Sequence, residues 1–321
     1  MMQLGLIGIG AGAAAALLFA SLRSGIWLSI PLFYLAPLPL MIAGLGWSHW
    51  AALIAGAVGA LALAVAFGPV FFLTFLGGVS LPAWWLCYLV MLARPAGNGG
   101  TPALEWYPPG RLVIWAAVLA ASIVIAAVSY FGLNDESVRA GLRHTLMIIL
   151  RGDPDTPADA ALPGVTNTAR LVDFLVAAIP PAAAVLATIT NVLNIWLAAR
   201  IVKFSGLLKR PWPPLPALSF PRLLAAALAL AVAVSFAGGF IGIIAGVLSS
   251  SLLMAYGLLG FAVLHAITLG LSARAFVLGG VYASVLVFGW PMLALCALGL
   301  IEAALDLRAR IARRRGPPAV S

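Results

Sequence analysis

Apolar residues run along this chain in long blocks, without the alternation of half-buried strands. The blocks fall at about 4–21, 26–46, 49–67, 69–92, 111–131, 170–200, 222–247, 252–270 and 274–307. A helix of about 20 apolar residues crosses a hydrocarbon layer about 30 Å thick. Lipid offers the backbone no partner, so spanning segments are helices or closed barrels. The pattern predicts an all-α, polytopic transmembrane helical bundle of nine or ten spans. Pro31, Pro37 and Pro39 in the second block, and Pro82 in the fourth, predict kinked or broken helices. Pro180-Pro181 is expected to interrupt the sixth block and free backbone carbonyls. The Trp84-Trp85 pair after Pro82 reads as an interfacial aromatic belt.

Residues 132–169 break the apolar pattern. Asn134 and Asp135 cap a helix start, and Val138, Leu142, Leu146 and Ile149 recur at helical spacing. These positions predict an amphipathic helix over 135–150, lying on the outer membrane face. The stretch Gly152-Asp153-Pro154-Asp155-Thr156-Pro157 that follows is loop chemistry.

Composition agrees with the pattern: 64% of the 321 residues are hydrophobic and 8% are charged. The net charge of +9 comes from 18 basic and nine acidic residues. The basic residues gather in short loops and the tail, where the positive-inside rule puts them, so the lipid bilayer is the expected partner and nucleic acid is not. Loop 200–222 holds Arg200, Lys203, Lys209, Arg210 and Arg222 and no acid, and the tail after Asp306 is rich in arginine. Both therefore belong inside, which requires an even number of crossings between them. The last block is too long for one untilted span, and Phe288-Gly289-Trp290-Pro291 lies at its middle. Splitting it into 274–289 and 291–307 gives ten helices, with the loop 132–169 outside and both termini in the cytoplasm. A single kinked helix there gives nine. The first block follows no basic n-region and reads as a retained helix. The expectation is one integral membrane domain, 1–321, in a bacterial inner membrane. It divides into N-terminal helices (1–131), an outward loop (132–169), C-terminal helices (170–307) and a basic cytoplasmic tail (308–321).

Three sets of residues carry candidate chemistry. Gly8, Gly12, Ala16 and Ala20 are four apart, a small-residue face suited to close helix contact within the chain or with a partner. Thr188, Asn191 and Asn194 share one helix face in block 170–200, with Asp173 nearby. Polar groups in lipid point toward partners or cavities, so this face reads either as interhelical glue or as a ligand site. His265, Glu302 and Asp306, with Arg200, Lys203 and Arg274 at similar depth, read as a structural ion-pair cluster at the cytoplasmic side, or as a gate. Cys87 and Cys296 lie in apolar runs and read as buried. No Cys/His spacing suggests a metal, no cofactor is implied, and no nucleophile–base pair or phosphate loop is present, so an enzyme is not expected.

The chain resembles a family of bacterial membrane proteins, domain of unknown function 2232. The resemblance is carried by Leu35-Ala36-Pro37-Leu38-Pro39, by Gly77-Gly78-Val79-Ser80-Leu81-Pro82-Ala83-Trp84-Trp85, by Asn191-Val192-Leu193-Asn194-Ile195-Trp196 through Arg200, and by Gly299 through Arg308. That family is distantly similar to the substrate-binding S components of energy-coupling factor transporters. The resemblance implies small-molecule transport or ligand binding in a helical bundle, and a small-residue face that meets a membrane coupling subunit. This chain departs from it in its greater number of spans and its long outward loop. The alternatives are an assembly or scaffold protein that binds other membrane proteins and, more weakly, a lipid-linked membrane enzyme using Asp173, His265 or Glu302.

Overall fold

A computed structural model of the chain describes residues 2–96, 103–151 and 167–315. The segment 152–157 lies outside the described residues, as do Asp159 and the last six residues of the tail. The first half holds α1 (Met2–Ala20), α2 (Ser29–Tyr34), α3 (Pro37–Gly46), α4 (His49–Phe67), α5 (Pro69–Phe75) and α6 (Leu81–Met91). A hairpin of β1 (Ala93–Ala96) and β2 (Ala103–Trp106) leads to α7 (Pro109–Ser129) and α8 (Asp135–Arg151). The second half holds α9 (Thr168–Phe204), α10 (Leu223–Ser235), α11 (Gly239–Ile267), α12 (Arg274–Phe288), α13 (Pro291–Leu305) and α14 (Leu307–Arg315). Seven segments are long and apolar enough to cross a membrane, and α10, α12 and α13 are shorter apolar helices.

The small-residue face of α1 is used inside the chain. Gly8 and Gly12 are buried against α4, where a Cβ on Gly12 would run into the Ala55 carbonyl and lie 3.1 Å from the Gly59 nitrogen. Missing side chains let the two backbones touch. Gly8 and Gly12 thus serve close contact within the chain.

Several expected boundaries move, each for a local reason. A break was expected at 248–251, but the helix runs through it. The Ser249 and Ser250 hydroxyls both donate to the Gly246 carbonyl, while Ser251 donates to Ala117 of α7. The chain turns instead at Gly238 and Gly239, whose φ angles of +72° and +63° suit glycine. In block 170–200 the helix is not interrupted: α9 continues through Pro180 and Pro181 for 37 residues. The chain does turn at Gly289 (φ +71°), between α12 and α13. The short β hairpin is an addition to the all-α expectation, with Arg94 and Glu105 paired across it.

The helix expected over 135–150 is α8, and the Asn134 carboxamide accepts from the Ser137 N–H at its start. Its apolar stripe does not all face lipid headgroups. Val138 is buried among residues of α7, α9 and α11, and Leu146 among Val172 and Val176 of α9. Ile149 alone of the four predicted positions stays largely exposed.

Candidate functional site

The polar face of α9 is spent on packing. Thr188 is fully buried and returns its hydroxyl to the Ala184 carbonyl. The Asn191 amide donates to Ala116 of α7 at 3.4 Å. Asn194 is fully buried and donates to the Thr190 carbonyl and to the Tyr34 carbonyl, both at 2.8 Å. The second of these has a clear cause. In a continuous helix Leu38 would donate to Tyr34. Pro37 has no N–H, the helix breaks between α2 and α3, and Leu38 donates to Leu35 instead. Tyr34 is left without its usual donor, and Asn194 supplies one from across the core. The Asn194 Oδ1 is buried without a partner among the described residues. Neither Asn191 nor Asn194 lines the two cavities described below, and both donate to backbone carbonyls of other helices, the contacts expected of interhelical glue. Asp173 does not join them. It lies near the start of α9, is exposed, and pairs with Arg143 of α8.

A cleft does exist on the same helix, nearer its start. It encloses about 210 Å³ between α8, α9 and the α10–α11 turn. Arg139 and Leu142 form one wall, Pro180 and Pro181 the second, and Gly238 and Gly246 mark the third. Neither proline has an N–H, so the carbonyls of Val176 and Ala177 lack their helical donors. Both residues line the cleft. Arg139 binds Asp135 through its Nε at 2.7 Å, leaving its terminal N–H groups for other acceptors.

The six charged or histidine residues expected to cluster at the cytoplasmic side are split into separate contacts. Glu302 is buried and accepts from the Arg308 backbone N–H at 3.1 Å and from its Nε at 2.6 Å. Asp306 pairs with Arg222 at 3.5 Å, with both side chains exposed. His265 meets the Tyr282 hydroxyl at 3.0 Å, between α11 and α12. Arg200 lies over the Trp196 ring, Lys203 is exposed, and Arg274 carries a buried Nε with no partner among the described residues. Asp173 sits near the start of α9, whereas Arg308 reaches Pro216 in the loop beyond the end of α9. Asp173, His265 and Glu302 therefore do not form one site.

No family model, curated protein or solved structure matches this chain. The family resemblance rests on the quoted residues alone.

One feature at the basic end escapes sequence reading. Arg210 is only 4% exposed, and it forms no ion pair among the described residues. Its terminal nitrogens donate to the Val90 carbonyl at 3.0 Å and to the Tyr107 carbonyl at 2.7 Å, with the Trp106 ring alongside. Burial pushes the guanidinium below its usual pKa. The Val90 carbonyl is available because α6 ends one residue later. Nothing in the run Lys209-Arg210 distinguishes the buried cation from its exposed neighbour. The cleft, by contrast, leaves a signal: Pro180-Pro181 on one helix and Gly238-Gly239 at a turn.

Proposed function

We propose that the chain is a ten-segment, multi-pass inner-membrane protein that binds a small polar molecule in an outward-facing cleft, in a non-enzymatic, transport-related role. The cleft between α8, α9 and the α10–α11 turn carries this reading. Its volume of about 210 Å³ equals about seven waters. The ligand carries hydrogen-bond donors for the Val176 and Ala177 carbonyls and an acceptor for Arg139. Side-chain contacts support the orientation. Arg210, Arg222 and Arg308 tie the loop 205–222 to the hairpin and to the start of α14, and that end carries most of the basic residues. The positive-inside rule makes it cytoplasmic and puts α8 outside.

Native mass spectrometry of the protein in mild detergent tests the reading. A small-molecule adduct is expected, and it should disappear in Gly246→Leu, which fills the cleft at a position with open space for a side chain. An adduct that survives Gly246→Leu overturns the site. For orientation, an impermeant maleimide should label Arg139→Cys but not Lys209→Cys in intact cells.

A second reading, membrane assembly, is supported by α12. None of its residues is buried, and Gly279 and Gly280 have no neighbour within reach of an added Cβ. An open glycine face on an apolar helix is suited to a second transmembrane helix. Gly280→Leu should abolish co-purification of a membrane partner under this reading and leave the cleft adduct intact.

A further inference from the structure

The geometry points to a binding site for one anionic phospholipid in the groove between the starts of α7 and α10. The groove encloses about 340 Å³, with walls from Ile114 and Trp115 on α7 and from Leu223 and Leu224 on α10. Both helices pack on α11, leaving the groove open on the outside of the molecule. Away from Tyr107 and Arg111 its walls are apolar, so in a bilayer an acyl chain is the natural filling. This inference rests on the proposal that these helices stand in the membrane with their first turns at the cytoplasmic surface.

The mouth of the groove selects the headgroup. Tyr107 and Arg111 line it. Arg111 is exposed and forms no ion pair among the described residues. The Tyr107 hydroxyl accepts from the Trp115 indole at 3.1 Å, which leaves its own O–H to donate outward. Arginine and a phenolic O–H at one mouth present donors and positive charge, the complement of a lipid phosphate. Trp115 and Tyr107 are also the aromatic types that settle at the headgroup level. The neighbouring Arg222 is already engaged by Asp306, so of these two arginines Arg111 is the one without an ion pair among the described residues. A neutral lipid would fill the groove equally well but would leave that charge without a partner.

The test is native mass spectrometry of the full chain with equal amounts of phosphatidylglycerol and phosphatidylcholine of the same acyl composition. The wild-type protein should retain phosphatidylglycerol in preference. Arg111→Gln should reduce that preference about fivefold, the effect of one basic residue near an anionic surface. Leu224→Trp, which blocks the groove, should remove the tightly held lipid of either kind. Arg94→Gln removes an exposed charge from the same end that is paired with Glu105, and should leave the preference unchanged. Equal retention of both lipids by the wild type overturns the proposal. So does an Arg111→Gln protein that keeps the preference, a Leu224→Trp protein that keeps its lipid, or an equal loss in Arg94→Gln. The outer-cleft adduct has a different mass and responds to Gly246→Leu, so the two readings fail separately.

Discussion

Two proline sites in this chain start from the same chemistry and end differently. At Pro37 the helix breaks, Leu38 donates to Leu35, and the Tyr34 carbonyl is left without its helical donor; Asn194 donates to it across the core. At Pro180 and Pro181 two carbonyls lose their donors, no polar side chain from another helix is recorded on them, and the residues line a cleft. A freed carbonyl in a membrane helix must find a donor. Where the fold supplies one, the proline is a packing device. Where it does not, the carbonyl is open to water or to the small molecule proposed for the cleft. The largest effect expected from this contrast is that of Pro180→Ala with Pro181→Ala. Restoring both donors should raise stability by about 3 kcal/mol and abolish the cleft adduct. The check is tryptophan-fluorescence melting in detergent alongside native mass spectrometry. Pro37→Ala should raise stability much less, because Asn194 already serves Tyr34. Equal gains at the two sites would break the contrast.

At the closed site, Asn194→Leu should lower stability by about 2 kcal/mol by leaving the Tyr34 carbonyl unpaired, read as a lower melting midpoint. In a Pro37→Ala background the loss should shrink, since Leu38 can then return to Tyr34. A strictly additive double variant would refute the donor assignment.

How far these features were readable in the sequence depended on the distance to the partner. The shared face of Thr188, Asn191 and Asn194 follows from spacing alone. Its use as glue does not, because the partners Ala116 and Tyr34 are 75 and 160 residues away in the chain. The range of helix α8 was legible, since its cap and its apolar period are both local, but the burial of Val138 and Leu146 against distant helices was not. The α10–α11 boundary was misplaced because Ser249 to Ser251 look polar but satisfy themselves or α7, while the turn-forming Gly238-Gly239 sits in an apolar run. The hairpin lacks alternation in Ala93–Ala96, and only the Asn98-Gly99 pair between its strands offered a turn signal.

A smaller effect is expected at the basic end, where a cation, not an amide, serves freed carbonyls. Arg210→Met removes the donors to Val90 and Tyr107 but also removes a charge whose burial is costly. The two oppose each other, so the net loss should be about 1 to 2 kcal/mol. It should appear as faster hydrogen exchange over 93–96 and 103–106, with less change in α9. Arg210→Lys should recover only part of the protection, because one ammonium does not match the fork that spans two carbonyls.

The smallest effect is expected at Asp173. It shares α9 with Asn194 and was grouped with that face, yet the environments differ sharply. The Arg143 and Asp173 side chains are 56% and 59% exposed, whereas Asn194 is fully buried. Exposed pairs gain little because water and salt screen them. Asp173→Asn should therefore cost less than about 1 kcal/mol, and the difference from wild type should vanish in high salt. Thr188 lies 15 residues further along the helix, about 22 Å at helical rise. An acid at Asp173 therefore cannot act on the buried polar face. Nor does Asp173 line the cleft, so the variant should keep the small-molecule adduct. If Asp173→Asn lost the adduct while retaining its melting midpoint, the ligand would extend from the cleft to the α8–α9 ion pair, and the first turns of α9 would be one continuous site.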